Sequence, residues 1–363
     1  MNMKEDNKMQ LSKLQEQIVH STEKNIIVMA AAASGKTRVL TERVKWLLEQ
    51  GEDPNKMVVF TFTNAAAEEM RSRIGEQGKD VFINTIHSYA FNLLMKHGID
   101  AGKAADEERF DDFFYMIDNN RDCLEEVDYL LLDEAQDSNL LQYQFILEMI
   151  KPKHLFIVGD YRQSIYEWNG GRPDILMDLS NSHDFVTYSL NENYRNGPTI
   201  LRFAKRLINN SMADDYSLMD DSICMNEFEV DSVAEISFIP SDIVSRINKT
   251  KDYGNWFILT RSNAQIDFMM DLLNKAEIPC DTFKRSQISS EEFRVKMNTN
   301  TVKILTVHAS KGLEADNVVV VGVPKWNKKA EERRIAYVAA TRARKQLIWT
   351  KEFKKKPRVS SWE

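Results

Sequence analysis

The chain has 363 residues, 43% of them apolar, and a net charge of −7. That is enough apolar material for two ordinary cores, and too little positive charge to attract nucleic acid over the whole surface, so DNA or RNA would need a local groove. No apolar run approaches the roughly 18 residues of a membrane helix, and the polar start MNMKEDNKMQ lacks the apolar core of a signal peptide. Cys123, Cys224 and Cys280 form no CxxC and have no adjacent histidine. This argues against a zinc or iron–sulfur site and fits a reducing cytoplasm.

Residues 11–20 place apolar side chains at Leu11, Leu14, Ile18 and Val19, which predicts a short helix. Gln15 and Gln17 lie on it. An amide pairs with both the donor and the acceptor edge of an adenine, although surface glutamines are the simpler reading. Residues 25–29 read as a buried strand, 30–34 as a loop of small residues, and Gly35-Lys36-Thr37 as the start of a helix over 38–50. Strand, tight loop and helix N-terminus together make a phosphate-binding device. Backbone N–H groups and the helix dipole meet the phosphates, Lys36 adds a charge, and the Thr37 hydroxyl is suited to Mg²⁺. The full pattern G-x-x-x-x-G-K-[ST] is not met, because Ala30 stands where the first glycine belongs.

Strand 58–60 is followed by the polar Thr61-Phe62-Thr63-Asn64 and a helix over 65–73. Strand 81–83, then Thr85-Ile86-His87-Ser88 and a helix over 89–95, repeat the theme. In open parallel sheets ligands sit at the C-terminal ends of strands, where these polar clusters fall. Residues 97–126 are charged and irregular and predict a modest helical insertion. Strand 127–132 ends in Asp133-Glu134, two carboxylates with a familiar division of labour downstream of a phosphate loop: one for Mg²⁺, one for the attacking water. Strand 155–158 leads to Gln163, placed to sense a phosphate. Tyr166 and Trp168 follow, as platforms for unpaired bases or else as core residues. From Asp184 the pattern restarts. Asn193-Tyr194-Arg195-Asn196 precedes a helix over 199–209, and 211–231 is acidic and irregular. Strands are expected at 236–239, 256–259, 302–306 and 318–321, with helices at 265–275 and 333–342.

The ordered set QxxI…ASGKTR, FTFTNAAAEEM, INTIHSYA, LLLDEAQDS, IVGDYRQSIYEWNG, LNENYRN, ILTVHASKGLE and IAYVAATRAR resembles the UvrD/Rep/PcrA-type superfamily 1 helicases from Gln15 to Arg344. The resemblance implies an α/β protein of two RecA-like P-loop domains, 1–186 and 187–363, with parallel sheets flanked by helices. ATP would lie in the cleft between them and single-stranded DNA across their tops. Gln15 would read adenine, and Arg38 and Tyr194 would sandwich the base. Ala32, Ala33, Ser34 and Gly35 would form the loop around the phosphates, with Lys36 and Thr37 on the β/γ-phosphates and Mg²⁺. Asp133 would bind Mg²⁺, Glu134 would be the general base, and Gln163 would contact the γ-phosphate. Arg195 and Arg342 would act as arginine fingers, and Glu314 would contact the ribose. Thr61, Phe62, Asn64, His87, Tyr166, Trp168 and His308 would line the DNA, although each histidine also reads as a strand-end cap.

The chain departs from its relatives in several places. Ala31 and Ala33 stand where many have glycine, and Ala33 is expected to weaken nucleotide binding if its position is left-handed. Asn169 replaces an arginine. The two large inserted subdomains shrink to about 97–126 and 284–301, and only the basic KEFKKKPR follows the last motif closely. The resulting expectation is an ATP-dependent 3′-to-5′ single-stranded DNA translocase and helicase, a monomer acting on single-stranded or tailed duplex DNA. The short insertions also suit an ATP-gated DNA-binding subunit completed by a nuclease or a replication or repair protein. An RNA-directed motor is a third expectation, because tracking and stacking tolerate either sugar.

Overall fold

Short aliphatic runs without helical periodicity have to be buried on both faces, and a parallel sheet covered by helices is the arrangement that buries them. The computed structural model describes residues 10–209, 222–225, 231–283, 290–322 and 330–351. It divides into two units. The first comprises Met1–Ala30, Gly35–Tyr161 and Tyr166–Leu190; the second comprises Ala31–Ser34, Arg162–Ile165 and Asn191–Glu363.

In the first unit α1 (Lys13–Val19), β1 (Asn25–Ala30), α2 (Lys36–Glu49), β2 (Met57–Phe60), α3 (Asn64–Ile74), β3 (Phe82–Asn84) and α4 (Ile86–Lys96) alternate as expected. Next come α5 (Gly102–Asp106), α6 (Asp112–Asp118), β4 (Tyr129–Leu132), α7 (Leu140–Gln144), β5 (His154–Gly159), α8 (Pro173–Ser180) and β6 (Val186–Leu190). The sheet order is β3-β2-β4-β5-β1-β6 and every pairing is parallel. One core gathers Ile18, Val39, Val44 and Met70 from α1, α2 and α3. The other gathers Leu93, Phe113, Phe114 and Ile117 from α4 and α6. The insertion at 97–126 is thus helical, and its apolar side belongs to the core.

The second unit holds β7 (Glu192–Asn193), α9 (Pro198–Asn209), β8 (Ile223–Cys224), β9 (Ser232–Ser237), α10 (Pro240–Thr250) and β10 (Trp256–Thr260). They are followed by α11 (Asn263–Lys275), β11 (Cys280–Phe283), α12 (Ser290–Met297), β12 (Val302–Thr306), β13 (Ala315–Val320), α13 (Ala330–Ala340) and β14 (Ala343–Lys351). A second all-parallel sheet runs β11-β12-β10-β13-β14-β9. Ile247, Ile266, Met269 and Leu273 cover one face over Ile258, Ile304 and Val319.

Four differences from the sequence reading have physical reasons. The strand Val186–Leu190 crosses the expected 186/187 boundary and pairs in parallel with β1, so the first sheet continues to Leu190. The strand expected at 236–239 starts at Ser232 and stops at Ser237, because Pro240 opens α10. β14, for which no element is expected between the helix ending at Arg342 and the basic tail from Lys351, is a full strand between β13 and β9. The short insertion at 284–301 contains α12. Of the acidic stretch 211–231, only 222–225 and 231 are described, and the basic tail beyond Lys351 lies outside the described residues. Among the described residues no helix is long and apolar enough to cross a membrane.

Candidate nucleotide and nucleic-acid site

β1 ends at Ala30 and the chain turns into α2 through a left-handed Gly35, whose φ is +86°. Within α2's first turn the ladder begins with Val39 N–H donating to Gly35 O at 2.9 Å, leaving the N–H groups of Lys36, Thr37 and Arg38 without an intrahelical acceptor. Ser34 closes the loop, its hydroxyl donating to Ala31 O at 2.8 Å. Lys36 is 9% exposed, and its buried Nζ has no hydrogen-bond partner. Its nearest charge is Glu134 Oε1 at 3.8 Å. An orphaned ammonium beside bare helix N–H groups fits a bound phosphate.

Ala33 is left-handed, with φ of +59°. The conformation that made this position a concern is therefore the one it adopts, at a cost of about 1 kcal/mol for a residue with a Cβ. Ala33→Gly is expected to raise the thermal unfolding midpoint by a few degrees, an increment of about 0.5–1 kcal/mol, as differential scanning calorimetry would read it.

Asp133 and Glu134 follow β4. Asp133 N–H donates to Phe60 O at 2.9 Å, and Asp133 Oδ1 accepts from Glu134 N–H at 2.9 Å. Glu134 is itself left-handed, with φ of +52°. Its carboxylate accepts from the Gln136 side-chain amide, and the oxygen of that amide accepts from Asp160 N–H at 2.8 Å. Gln136, to which the sequence reading gave no role, is fully buried and links the two strand ends β4 and β5. Nothing in its spacing signals this; it depends on which strands become neighbours.

Gln15 is buried on α1. Its Oε1 accepts from Ser12 N–H at 3.0 Å, and its Nε2 sits 2.9 Å from where a Cβ on residue 35 would stand. Arg38 is half-buried in the same unit.

The remaining nucleotide candidates belong to the second unit. Arg342 is buried there. It donates to Val338 O at 3.0 Å, Leu313 O at 3.2 Å and Gln163 Oε1 at 3.3 Å. Arg195 pairs with Glu314 and donates to Thr341 O at 3.3 Å. Glu314, expected at a ribose, is thus engaged by Arg195, with Arg344 Nη1 3.7 Å from its other oxygen. Tyr194 donates its hydroxyl to Glu192 at 2.8 Å and its N–H to Ala33 O at 3.0 Å; Asn193 Nδ2 donates to Ala32 O at 2.9 Å.

The DNA candidates divide by exposure. Thr61 is buried, its hydroxyl donating to Thr63 O at 3.0 Å, and Asn64 is exposed at the start of α3. Phe62 packs on Tyr166 with ring centroids 4.9 Å apart. Tyr166 is only 3% exposed, whereas Trp168 is 67% exposed. Trp168 is therefore the open aromatic face of the pair that the sequence singled out. His87 Nε2 lies 2.9 Å from Asp111 Oδ1, and Asp111 Oδ2 accepts from Asn139 Nδ2 at 3.3 Å. Asp111 comes from the short insertion, and spacing alone could not have flagged it. In the second unit His308 Nε2 lies 3.1 Å from Ile165 O. A cavity of about 550 Å³ in the first unit is lined by Thr61, Phe62, His87, Asp111, Asp133 and Glu134.

Two family models match the chain. That of the UvrD/REP helicase N-terminal domain covers residues 11–123 and 116–184, and that of the UvrD-like helicase C-terminal domain covers 188–289 and 281–353. A Mycoplasma pneumoniae protein named probable DNA helicase is 26% identical, over 89% of this chain and 79% of its own length. A probable DNA helicase II homolog of Mycoplasma capricolum is 26% identical over 71% of this chain and 50% of its own. The ATP-dependent DNA helicase PcrA of Staphylococcus aureus is 26% identical over 73% and 50%. The chain thus spans about half the length of the last two.

Proposed function

The chain belongs to the UvrD-like helicase family, and from that membership we propose that it hydrolyses ATP and uses the cycle to move 3′-to-5′ along single-stranded DNA, separating tailed duplexes as it goes. The observation that carries this is the buried Lys36 ammonium with no acceptor, set at a helix N-terminus and 3.8 Å from the Glu134 carboxylate. Lys36 and the first N–H groups of α2 bind the β/γ-phosphates, and Glu134, held by Gln136, takes the proton of the attacking water. Thr37 and Asp133 are the donors suited to Mg²⁺, which when bound neutralises phosphate charge. Gln15 selects the base and Arg38 and Tyr194 stack on it. Arg195 and Arg342 stabilise charge on the transferred phosphate, while Gln163 registers its presence and Glu314 meets the ribose.

Steady-state hydrolysis with and without single-stranded DNA, alongside Glu134→Gln, tests the proposal. Strong stimulation by DNA that disappears in the variant is expected; no hydrolysis under either condition would overturn it. On the DNA side, Phe62 and Trp168 offer rings to bases, with Thr61, Asn64, His87, Tyr166 and His308 around them. Trp168→Ala is expected to weaken single-stranded DNA binding about tenfold by fluorescence anisotropy, the worth of one stacked base, without lowering the unfolding midpoint. An unchanged affinity would remove Trp168 from the track.

A second reading, an ATP-gated DNA-binding subunit completed by a nuclease or a replication or repair protein, is favoured by one observation: the insertion at 97–126 is short, its α-helices only α5 and α6. Stopped-flow strand separation on a 3′-tailed duplex by the purified chain alone distinguishes the two. DNA-stimulated hydrolysis without strand separation would favour the second.

A further inference from the structure

We propose that Arg43 is a positioning residue for base selection, fastening α1 to α2 so that Gln15 is held at a set distance from the phosphate loop. The inference rests on the proposed role of Gln15 at the nucleotide base. α1 has seven residues, too few to be stable as a helix by itself, so its place is decided by what ties it down. Its N-terminal end is closed by the reciprocal bonds between Ser12 and Gln15. Its C-terminal end is gathered by one nitrogen: Arg43 Nη1 donates to Val19 O at 2.8 Å, Ser21 O at 2.7 Å and, at 3.3 Å, Ile18 O. A cation at those carbonyls also meets the negative end of the helix dipole.

The guanidinium is held for this contact and for little else. Arg43 is 3% exposed, with its carbon Cζ 4.9 Å from the Phe156 ring centroid and 5.3 Å from that of Trp46. Its buried Nε has no hydrogen-bond partner, and no carboxylate pairs with it among the described residues. Burial pulls its pKa down to about 10, against the pull of Tyr129 and Tyr188, so it stays charged at neutral pH. A buried cation without a counter-ion is a costly way to cap a two-turn helix. The cost is understandable when the helix must be placed and not merely ended.

The geometry closes a frame. Arg43 lies seven residues after Lys36 on α2, on the same face two turns on. α1 returns from the Arg43 end to bring Gln15 Nε2 against Gly35, the residue before Lys36. Between these two contacts Ile18 and Val19 pack with Val39, Leu40 and Val44. Base-reading amide and phosphate-binding ammonium are thereby set on two helices joined at both ends.

The test is equilibrium binding of ATP and of GTP to the full chain carrying Arg43→Gln, Arg43→Lys, Gln15→Ala, or Arg43→Gln with Gln15→Ala. Arg43→Gln is expected to erase about tenfold of the preference for ATP, with GTP affinity nearly unchanged, and to cause no further loss where Gln15 is already Ala. Arg43→Lys, which keeps the charge but not the reach to three carbonyls, is expected to lose less and serves if Arg43→Gln does not fold. Equal weakening of ATP and GTP, or losses that simply add in the double variant, would mean a structural role only and overturn the proposal. A Gln15→Ala protein that keeps its full preference for ATP overturns the role of Gln15 and this inference with it. If Gln15→Ala loses the preference and neither Arg43 variant does, the tether alone is overturned.

Discussion

Lys36→Met is expected to lower ATP hydrolysis by at least about 10²-fold and toward 10³-fold, while leaving the unfolding midpoint of the nucleotide-free protein unchanged or higher. Ordinary core substitutions do the reverse and lower stability first. The reason lies in what surrounds Nζ. It is buried, has no hydrogen-bond acceptor, and is 3.8 Å from a single carboxylate oxygen of Glu134. In the free protein that ammonium is an incompletely compensated charge, which costs folding energy. A methionine of similar length fills the space with no desolvation cost. Glu134 keeps its bond from Gln136 and remains partly open to water, so it is not stranded by the change. On the proposed role of Lys36 a phosphate in the loop would reverse the balance, because the ammonium would then gain a partner. Thermal melts of the free protein beside steady-state hydrolysis check both halves. A midpoint lowered by several degrees would show that Lys36 supports the fold.

Lys303→Ala is expected to destabilise the second unit by about 3–5 kcal/mol, a midpoint shift on the order of 10 °C. Lys303 is fully buried on β12. Its ammonium donates to Thr299 O at 2.9 Å, Thr299 Oγ1 at 2.6 Å and Thr301 Oγ1 at 2.5 Å, with Asp281 Oδ2 at 3.5 Å. Asp281 lies directly opposite on β11, in register with Lys303. Truncation leaves those acceptors facing a void and removes the three methylenes beyond Cβ along with the ammonium. Lys303→Met should recover much of the packing and lose less. Burial alone would push the Asp281 carboxyl up, but the Thr301 and Thr299 hydroxyls and the Lys303 ammonium hold it below the usual carboxylate range. A carboxyl whose folded-state pKa is depressed adds stability above its unfolded value and loses it as pH falls through the folded one. The second unit should therefore weaken below roughly pH 4, and less steeply in Asp281→Asn, as urea titrations across pH would measure.

Strands were legible where burial is complete and hidden where it is not. β2, β5 and β10 are near-continuous apolar runs because helices cover both faces of the sheet, and their composition says so. β6, at the sheet edge, is exposed at Val186, Thr187 and Ser189 and half-buried at Tyr188, with only Leu190 buried, so it carries no buried-strand signal and reads as the start of the next domain. β14 opens with Ala343-Arg344-Lys345-Gln346, which continues the pattern of the preceding helix, and only Leu347-Ile348-Trp349 carries the buried signal. Gly35 and Lys36 were readable because the loop chemistry is local. So was the question posed by Ala33, which its positive φ answers. The links from Gln136 to Asp160, from Asp111 to His87 and from Arg43 to α1 join residues that become neighbours only through tertiary packing. No spacing rule reaches them.

The place of β14 in its sheet governs how the polypeptide can be made. Its neighbours are β13 on one side and β9 on the other, and β9 is paired with nothing else in that sheet. During synthesis β9 emerges more than a hundred residues before its partner. Until residue 351 has cleared the ribosome, two strand edges lie open, each offering unpaired backbone groups to other nascent chains. The first sheet, complete at Leu190, carries no such debt to the far end of the message. A ribosome stalled between α13 and Lys351 would release a polypeptide with one finished half and one adhesive half, the kind of product that holdase chaperones and proteases intercept.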